Sequence, residues 1–236
     1  MVMAVVSVPS VPVSDAARRL GVSEQRVRAM ISAGKMDAEK AAGAWWIPAQ
    51  SLARVAAAGS CGGRPFGVVS AWALLLIASG EPAESVSAKV RWRVSVALKE
   101  HGLAAAFPKL GHRAVRHAFE AHSGELPRLA RSDELMLGGV SAAAAHGLNL
   151  QGGNEVEAYV PAGAVERLVQ RHGLARGGKA NVVLRAVPEG IWPLLRRPVA
   201  PLAAVLADLA EHPDARARRV AREWASRLDR ERVARG

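Results

Sequence analysis

The chain has 236 residues, of which 50% are hydrophobic and 22% are charged, a balance typical of a globular protein and not of a disordered one. A formal net charge of +11 favours a polyanion such as nucleic acid as a partner and argues against an acidic mimic of one. Cys61 is the only cysteine, which excludes an intrachain disulfide and a thiolate-rich zinc site. The apolar run 67–79 is shorter than the roughly 20 residues that span a bilayer, so we expect a cytoplasmic protein with no membrane partner.

A run of small residues divides the chain. Residues 59–65 read Gly-Ser-Cys-Gly-Gly-Arg-Pro, in which the glycines weaken a helix and the proline ends it. We therefore expect a linker over 59–65, between a first domain at 1–58 and a second domain at 66–236.

Two short helices are predicted at the start of the first domain. Ser14 is expected to cap a helix over 15–20, and Ser23 a second helix over 24–33 that ends at Gly34. Apolar side chains of both helices can share one core, and they are Ala17, Leu20, Val22, Val27 and Ile31.

A hairpin and a third helix are predicted next. Residues 35–40 and 45–47 have the pattern of two strands with a tip near Gly43. Pro48 is suited to the start of a helix over 49–57. The first domain is therefore expected to run helix, helix, hairpin, helix.

The second helix carries the side chains that could recognise DNA. A helix that enters the major groove needs polar or basic residues near its N-terminus. Gln25 can pair with adenine, and Arg26 or Arg28 with guanine or phosphate. The predicted DNA-binding residues are Ser23, Gln25, Arg26, Arg28, Ser32, Lys35 and Lys40. The alternative is a small helical hairpin with a solvated polar face.

The same segment resembles a family of DNA-binding domains. The residues at 13–23, 27–28, 34–36 and 46–48 closely resemble the excisionase/MerR-type winged helix, over about residues 12–57. This resemblance implies binding of duplex DNA by the second helix, with the hairpin as a wing. Relatives carry more arginine in that helix than this chain, which has Glu24 and Gln25. Affinity is therefore expected to depend also on a homodimer on DNA or on the second domain.

The second domain has mixed periodicity. Helical patterns come first, at 66–79, 85–101 and 113–122, followed by a short helix at 141–146. Strands are predicted at 155–160 and 181–187, with helices at 164–172, 198–211 and 214–228. The chain is thus predicted to be α+β, with an N-terminal winged helix-turn-helix domain followed by a mostly helical α+β domain with a small sheet.

The last predicted helix combines an apolar stripe with many arginines. Arg218, Arg219 and Arg222 are candidates for a second contact, either with DNA phosphates or with an acidic protein surface. A solvated face with ion pairs four residues apart is the alternative. Asp208 lies within an apolar helix, where we expect a buried structural carboxylate that bonds a strand or an arginine.

The second domain also resembles a known family. The residues at 137–148, 157–161, 181–185, 199–201, 207–210 and 214–216 look like the antitoxin domain of AbiEi-type proteins. The resemblance implies an antitoxin of a type IV toxin–antitoxin system that represses its own operon. Its partners would be inverted repeats in its own promoter and a cognate nucleotidyltransferase toxin.

Two other functions are compatible with parts of the sequence. An excisionase-like recombination or transcription regulator would need only the first domain. A nucleotidyltransferase-like enzyme would use Gly138 and Gly139 to hold a triphosphate and Glu155 and Glu157 to hold Mg²⁺. Because these are glutamates and no third carboxylate follows at 181–185, we expect no enzyme, no catalytic residue, no metal and no cofactor.

Overall fold

A computed structural model describes residues 10–32, 34, 36–41, 43–59, 65–150, 152–176, 180–195 and 197–235. The chain is α+β and separates into two compact units, Met1–Gly62 and Gly63–Gly236. Among the described residues, no helix is both long enough and apolar enough to cross a bilayer.

The first unit alternates short strands and helices around a small core. Its elements are β1 (Ser10–Pro12), α1 (Val13–Leu20), α2 (Glu24–Ser32), β2 (Glu39–Ala41), β3 (Ala44–Pro48) and α3 (Ala49–Gly59). The strands form an antiparallel sheet in the order β1-β3-β2. The core comprises Val13, Ala16, Ala17, Val27, Met36, Ile47 and Leu52.

Local signals account for the boundaries of the two helices. The α1 helix begins at Val13, directly after the extended Pro12, so the prediction of Ser14 as its cap is wrong. Gly21 ends the helix in the left-handed conformation (φ 64°), which glycine adopts without strain. Ser23 caps α2 as predicted, because its Oγ accepts the N–H of Arg26 at 3.2 Å.

The second unit contains more helices than strands. Its elements are α4 (Val68–Ala78), α5 (Ala88–Ala106), β4 (Val115–Phe119), α6 (Leu126–Ala130), β5 (Met136–Leu137), α7 (Gly139–Ala143), β6 (Val156–Pro161), α8 (Val165–His172), β7 (Val182–Val187), α9 (Trp192–Leu195), α10 (Leu202–Glu211) and α11 (Ala215–Arg235). The sheet has the order β4-β7-β6-β5, in which only β6 and β7 are parallel.

Both faces of this sheet are covered by helices. Along β6, Ala158 and Val160 belong to a core with α6 and α8, whereas Tyr159 belongs to the larger core that includes α4, α5, α10 and α11. Successive side chains of a strand point to opposite faces, which explains this division. The second unit therefore has three layers, with α10 packed on the face that carries Tyr159.

Two predicted helices differ from the structure. Residues 113–122 are not helical, because Val115–Phe119 forms β4 and pairs along its length with β7. The α5 helix continues past residue 101 through a kink at Gly102, which has φ 75°. At this kink both carboxylate oxygens of Asp229 accept the N–H of Leu103, at 3.1 and 2.9 Å.

Candidate nucleic-acid interface

The α2 helix exposes a polar face. Val27 is fully buried and Ile31 half-buried, so that side of the helix packs on the core of the first unit. Gln25, Arg28 and Ser32 are exposed on the opposite side. Their spacing of three and four residues places them on one face of the helix.

Two neighbouring cations of this helix differ in their pairing. Arg28 donates from Nη2 to Glu24 Oε2 at 2.7 Å, and both side chains are about half exposed. Such surface pairs contribute little to stability, so Arg28 can exchange this partner for a phosphate or a base. Arg26 lies at the flank of the exposed face and has no ion-pair partner among the described residues.

Lys40 lies on the β2–β3 hairpin, on the face of the sheet that packs against the core of the first unit. Lys40 lies opposite Trp45, and Ala41 lies opposite Ala44 around a turn in which Gly43 has φ 79°. Trp45 packs against the core of the first unit, so the exposed Lys40 projects from the same face of the sheet. Lys35, also predicted to bind DNA, lies outside the described residues.

Ala29 was not among the residues predicted to bind DNA. It is exposed on α2 between the polar residues of the outward face. A helical wheel drawn opposite Val27 would have found it, because the two positions are about 200° apart around the axis.

The α11 helix carries a second basic face. Its exposed arginines are Arg216, Arg219, Arg222, Arg227 and Arg230. Arg222 and Arg230 have no ion-pair partner among the described residues, and Arg219 Nε lies 3.9 Å from Glu223. Arg218 is different, because its guanidinium donates to the carbonyl oxygens of His212 and Pro213 at 2.8 and 2.5 Å. The structure thus places Arg219 and Arg222 on the exposed face and directs Arg218 to the start of its own helix.

A buried ionic cluster joins α10 to the sheet. We call it the Asp208 cluster, and its members are Arg113, Tyr159, Arg185, Asp208 and Glu211. Asp208 is fully buried, and its Oδ1 accepts from Arg113 Nη2 at 2.7 Å and from Tyr159 Oη at 2.6 Å. Arg185 Nε lies 3.0 Å from the same oxygen without the alignment of a hydrogen bond, so this attraction is electrostatic. Asp208 is a buried structural carboxylate, as predicted.

The charges of this cluster balance one another. Glu211 accepts from Arg113 Nη1 at 2.6 Å and from Arg185 Nη1 at 2.8 Å. Burial by itself would raise the pKa of Glu211, but the two guanidinium groups lower it to about 2. Burial would likewise lower the pKa of Arg113, and the neighbouring Glu211, Tyr159 and Asp208 raise it well above its usual value. Arg113, Arg185 and Glu211 are therefore charged at neutral pH.

The residues of the nucleotidyltransferase alternative occupy the adjacent part of the fold. Glu157 is buried, and its Oε2 accepts the N–H of Val140 at 3.2 Å. Burial first, and then Asp208, raise the pKa of Glu157. Glu155 Oε1 lies 3.7 Å from His212 Nε2, and the polar interaction with that ring lowers the pKa of Glu155. In the described part of the chain, no three side chains of the metal-ligating types come together.

Comparison of the chain with protein-family models, with curated proteins and with solved structures finds no match.

Proposed function

We propose that this chain binds double-stranded DNA through its first unit and regulates transcription from its own promoter. The observation that carries this proposal is the outward face of α2, where Gln25, Arg28 and Ser32 are exposed side by side. Side chains of these types form the hydrogen bonds that distinguish base pairs in the major groove.

The order of elements in the first unit supports a winged helix-turn-helix. Gly21 turns the chain between α1 and α2, and Val27 anchors α2 on the shared core. The β2–β3 hairpin then follows, with Lys40 on the face of the sheet that packs on the helices. A wing in this position can contact the DNA backbone beside the groove that the helix occupies.

The antitoxin part of the proposal depends on the second unit. Its sequence resembles the AbiEi-type antitoxin domain, which implies repression of a toxin operon and neutralisation of a nucleotidyltransferase toxin. The exposed arginines of α11 provide a face for either DNA phosphates or an acidic surface of the toxin. Arg219, Arg222 and Arg230 span about 16 Å along the helix, enough for several phosphate contacts.

DNA binding is tested with a labelled duplex from the chain's own upstream region. Fluorescence anisotropy should show saturable binding, and Arg28→Ala should weaken it about tenfold, the effect of losing one good contact to a base or phosphate. Arg131→Ala is the matched control, because Arg131 is an exposed arginine of the other unit with no ion-pair partner among the described residues. Equal affinities of both variants and the wild type would contradict the assigned role of α2.

The antitoxin role is tested by co-expression with the neighbouring reading frame. If that frame encodes a growth-inhibiting nucleotidyltransferase, the whole chain should restore growth. Arg219→Ala/Arg222→Ala should weaken rescue if α11 contacts the toxin, or should weaken promoter binding if α11 contacts DNA. Absence of rescue by the wild-type chain would refute the antitoxin role and leave the DNA-binding proposal standing.

A further inference from the structure

The centre of the exposed face of α2 is formed by two uncharged residues, Gln25 and Ala29. Each residue of an α-helix is rotated by about 100° from the last. The direction opposite the buried Val27 therefore falls between Gln25 and Ala29, and both are exposed. Arg28 stands to one side of this direction, and Arg26 stands to the other.

The ion pair of α2 draws Arg28 away from this centre. Its Nη2 lies 2.7 Å from Oε2 of Glu24. Glu24 lies further round the helix on the same side as Arg28. Because they lie opposite Val27, Gln25 and Ala29 are the two residues whose Cα–Cβ bonds point most directly at the floor of a groove. The short side chain of Ala29 allows the helix backbone to approach the bases closely.

The chemistry of these two side chains selects particular bases. The side-chain amide of glutamine can donate to N7 and accept from the N6 amino group at the same time, and adenine is the base that presents both groups in the major groove. A methyl group has one complementary feature in the major groove, the C5-methyl of thymine. Gln25 and Ala29 are about 6 Å apart along the helix axis, which is no more than about two base-pair steps.

We propose that Gln25 and Ala29 select a site with two A·T pairs, at most two steps apart, in the major groove. Gln25 reads the adenine of one pair through N6 and N7. Ala29 contacts the C5-methyl of a thymine in the other. This assignment rests on the proposed function, because it requires that α2 enters the groove.

A thymine-to-deoxyuridine scan tests the role of Ala29. Each substitution removes one methyl group from the operator duplex and preserves base pairing. One thymine per half-site should depend on its methyl, with about fourfold weaker binding of the wild-type chain when the methyl is absent. Ala29→Gly should remove this dependence. Ala53→Gly, at an exposed alanine of α3, carries the same helix penalty and should retain it.

A second scan tests Gln25. Replacement of single adenines by 7-deazaadenine removes N7, and one replacement within two steps of the methyl-dependent thymine should weaken wild-type binding several-fold. Gln25→Ala should bind both duplexes equally. If the duplex binds but no thymine depends on its methyl, or if the dependence survives in Ala29→Gly, the assignment is wrong and the DNA-binding proposal remains. If the wild-type chain does not bind the upstream duplex, both fall.

Discussion

Replacement of Asp208 by asparagine should strongly destabilise the second unit. The substitution preserves the size of the side chain but removes its charge. Among the described residues, the two buried guanidinium groups of Arg113 and Arg185 would then keep one ion-pair partner, the carboxylate of Glu211, whose side chain is 37% exposed. Loss of one partner from a buried ion pair costs about 3–5 kcal/mol, because the remaining charge stays buried without compensation.

This free energy corresponds to a large change in melting temperature. For a domain of this size, each kcal/mol lowers Tm by about 2–4 °C, so Asp208→Asn should melt roughly 6–20 °C below the wild type. Tryptophan fluorescence followed during heating gives Tm, and during urea unfolding it gives the unfolding free energy. The signal is suitable because Trp72 lies beside the Asp208 cluster. Its Nε1 donates to the carbonyl oxygen of Arg113 at 2.9 Å, and its ring centre lies 5.0 Å from that of Tyr159.

Glu211→Gln is the matched control for Asp208→Asn. It removes one carboxylate charge from the same cluster, but water reaches this position and should reduce the loss of stability. An unfolding free energy of Asp208→Asn within about 1 kcal/mol of the wild type would refute the structural role. Mg²⁺-dependent nucleotide transfer that Asp208→Asn abolished without loss of stability would assign the carboxylate to catalysis instead.

Three further predictions concern other parts of the chain. Gly102→Ala should lower the unfolding free energy in urea by about 1–3 kcal/mol, since φ is 75° and an added Cβ would lie 2.6 Å from Oδ2 of Asp229. Gly111→Ala is the control and should be nearly neutral, because an added Cβ there meets nothing within 4 Å. Burial raises the pKa of Glu157, so ionisation of this carboxyl should cost the wild type stability as pH rises from about 4.5 to the folded-state pKa. Over that interval the unfolding free energy of the wild type should fall relative to that of Glu157→Gln. Glu24→Gln frees Arg28 and removes an anion from the surface proposed to bind DNA, so it should tighten DNA binding at low salt and steepen the slope of log K against log salt by about 0.9. Weaker binding of Glu24→Gln would instead indicate that Glu24 contacts a base.

Features that depend on a few neighbouring residues could be predicted from the sequence. The cap by Ser23, the turn at Gly21 and the burial of Val27 follow from local hydrogen bonds, backbone sterics and helical periodicity. Strands 155–160 and 181–187 were predicted within a residue or two, because their β-branched and apolar residues are buried in the sheet. The polar face of α2 was predicted from the helical spacing of its exposed residues.

Features that join distant segments depend on how the elements pack and could not be predicted. Val115–Phe119 is a strand because β7 supplies its hydrogen-bond partners, whereas its own sequence was predicted to be helical. Asp229 allows α5 to continue through its kink at Gly102 by accepting an N–H from another part of the chain. The side chains that contact Asp208 come from the segment before β4, from β6 and from β7. The sequence therefore indicated a buried carboxylate, and the packing of α10 on the sheet selected the cations that neutralise it.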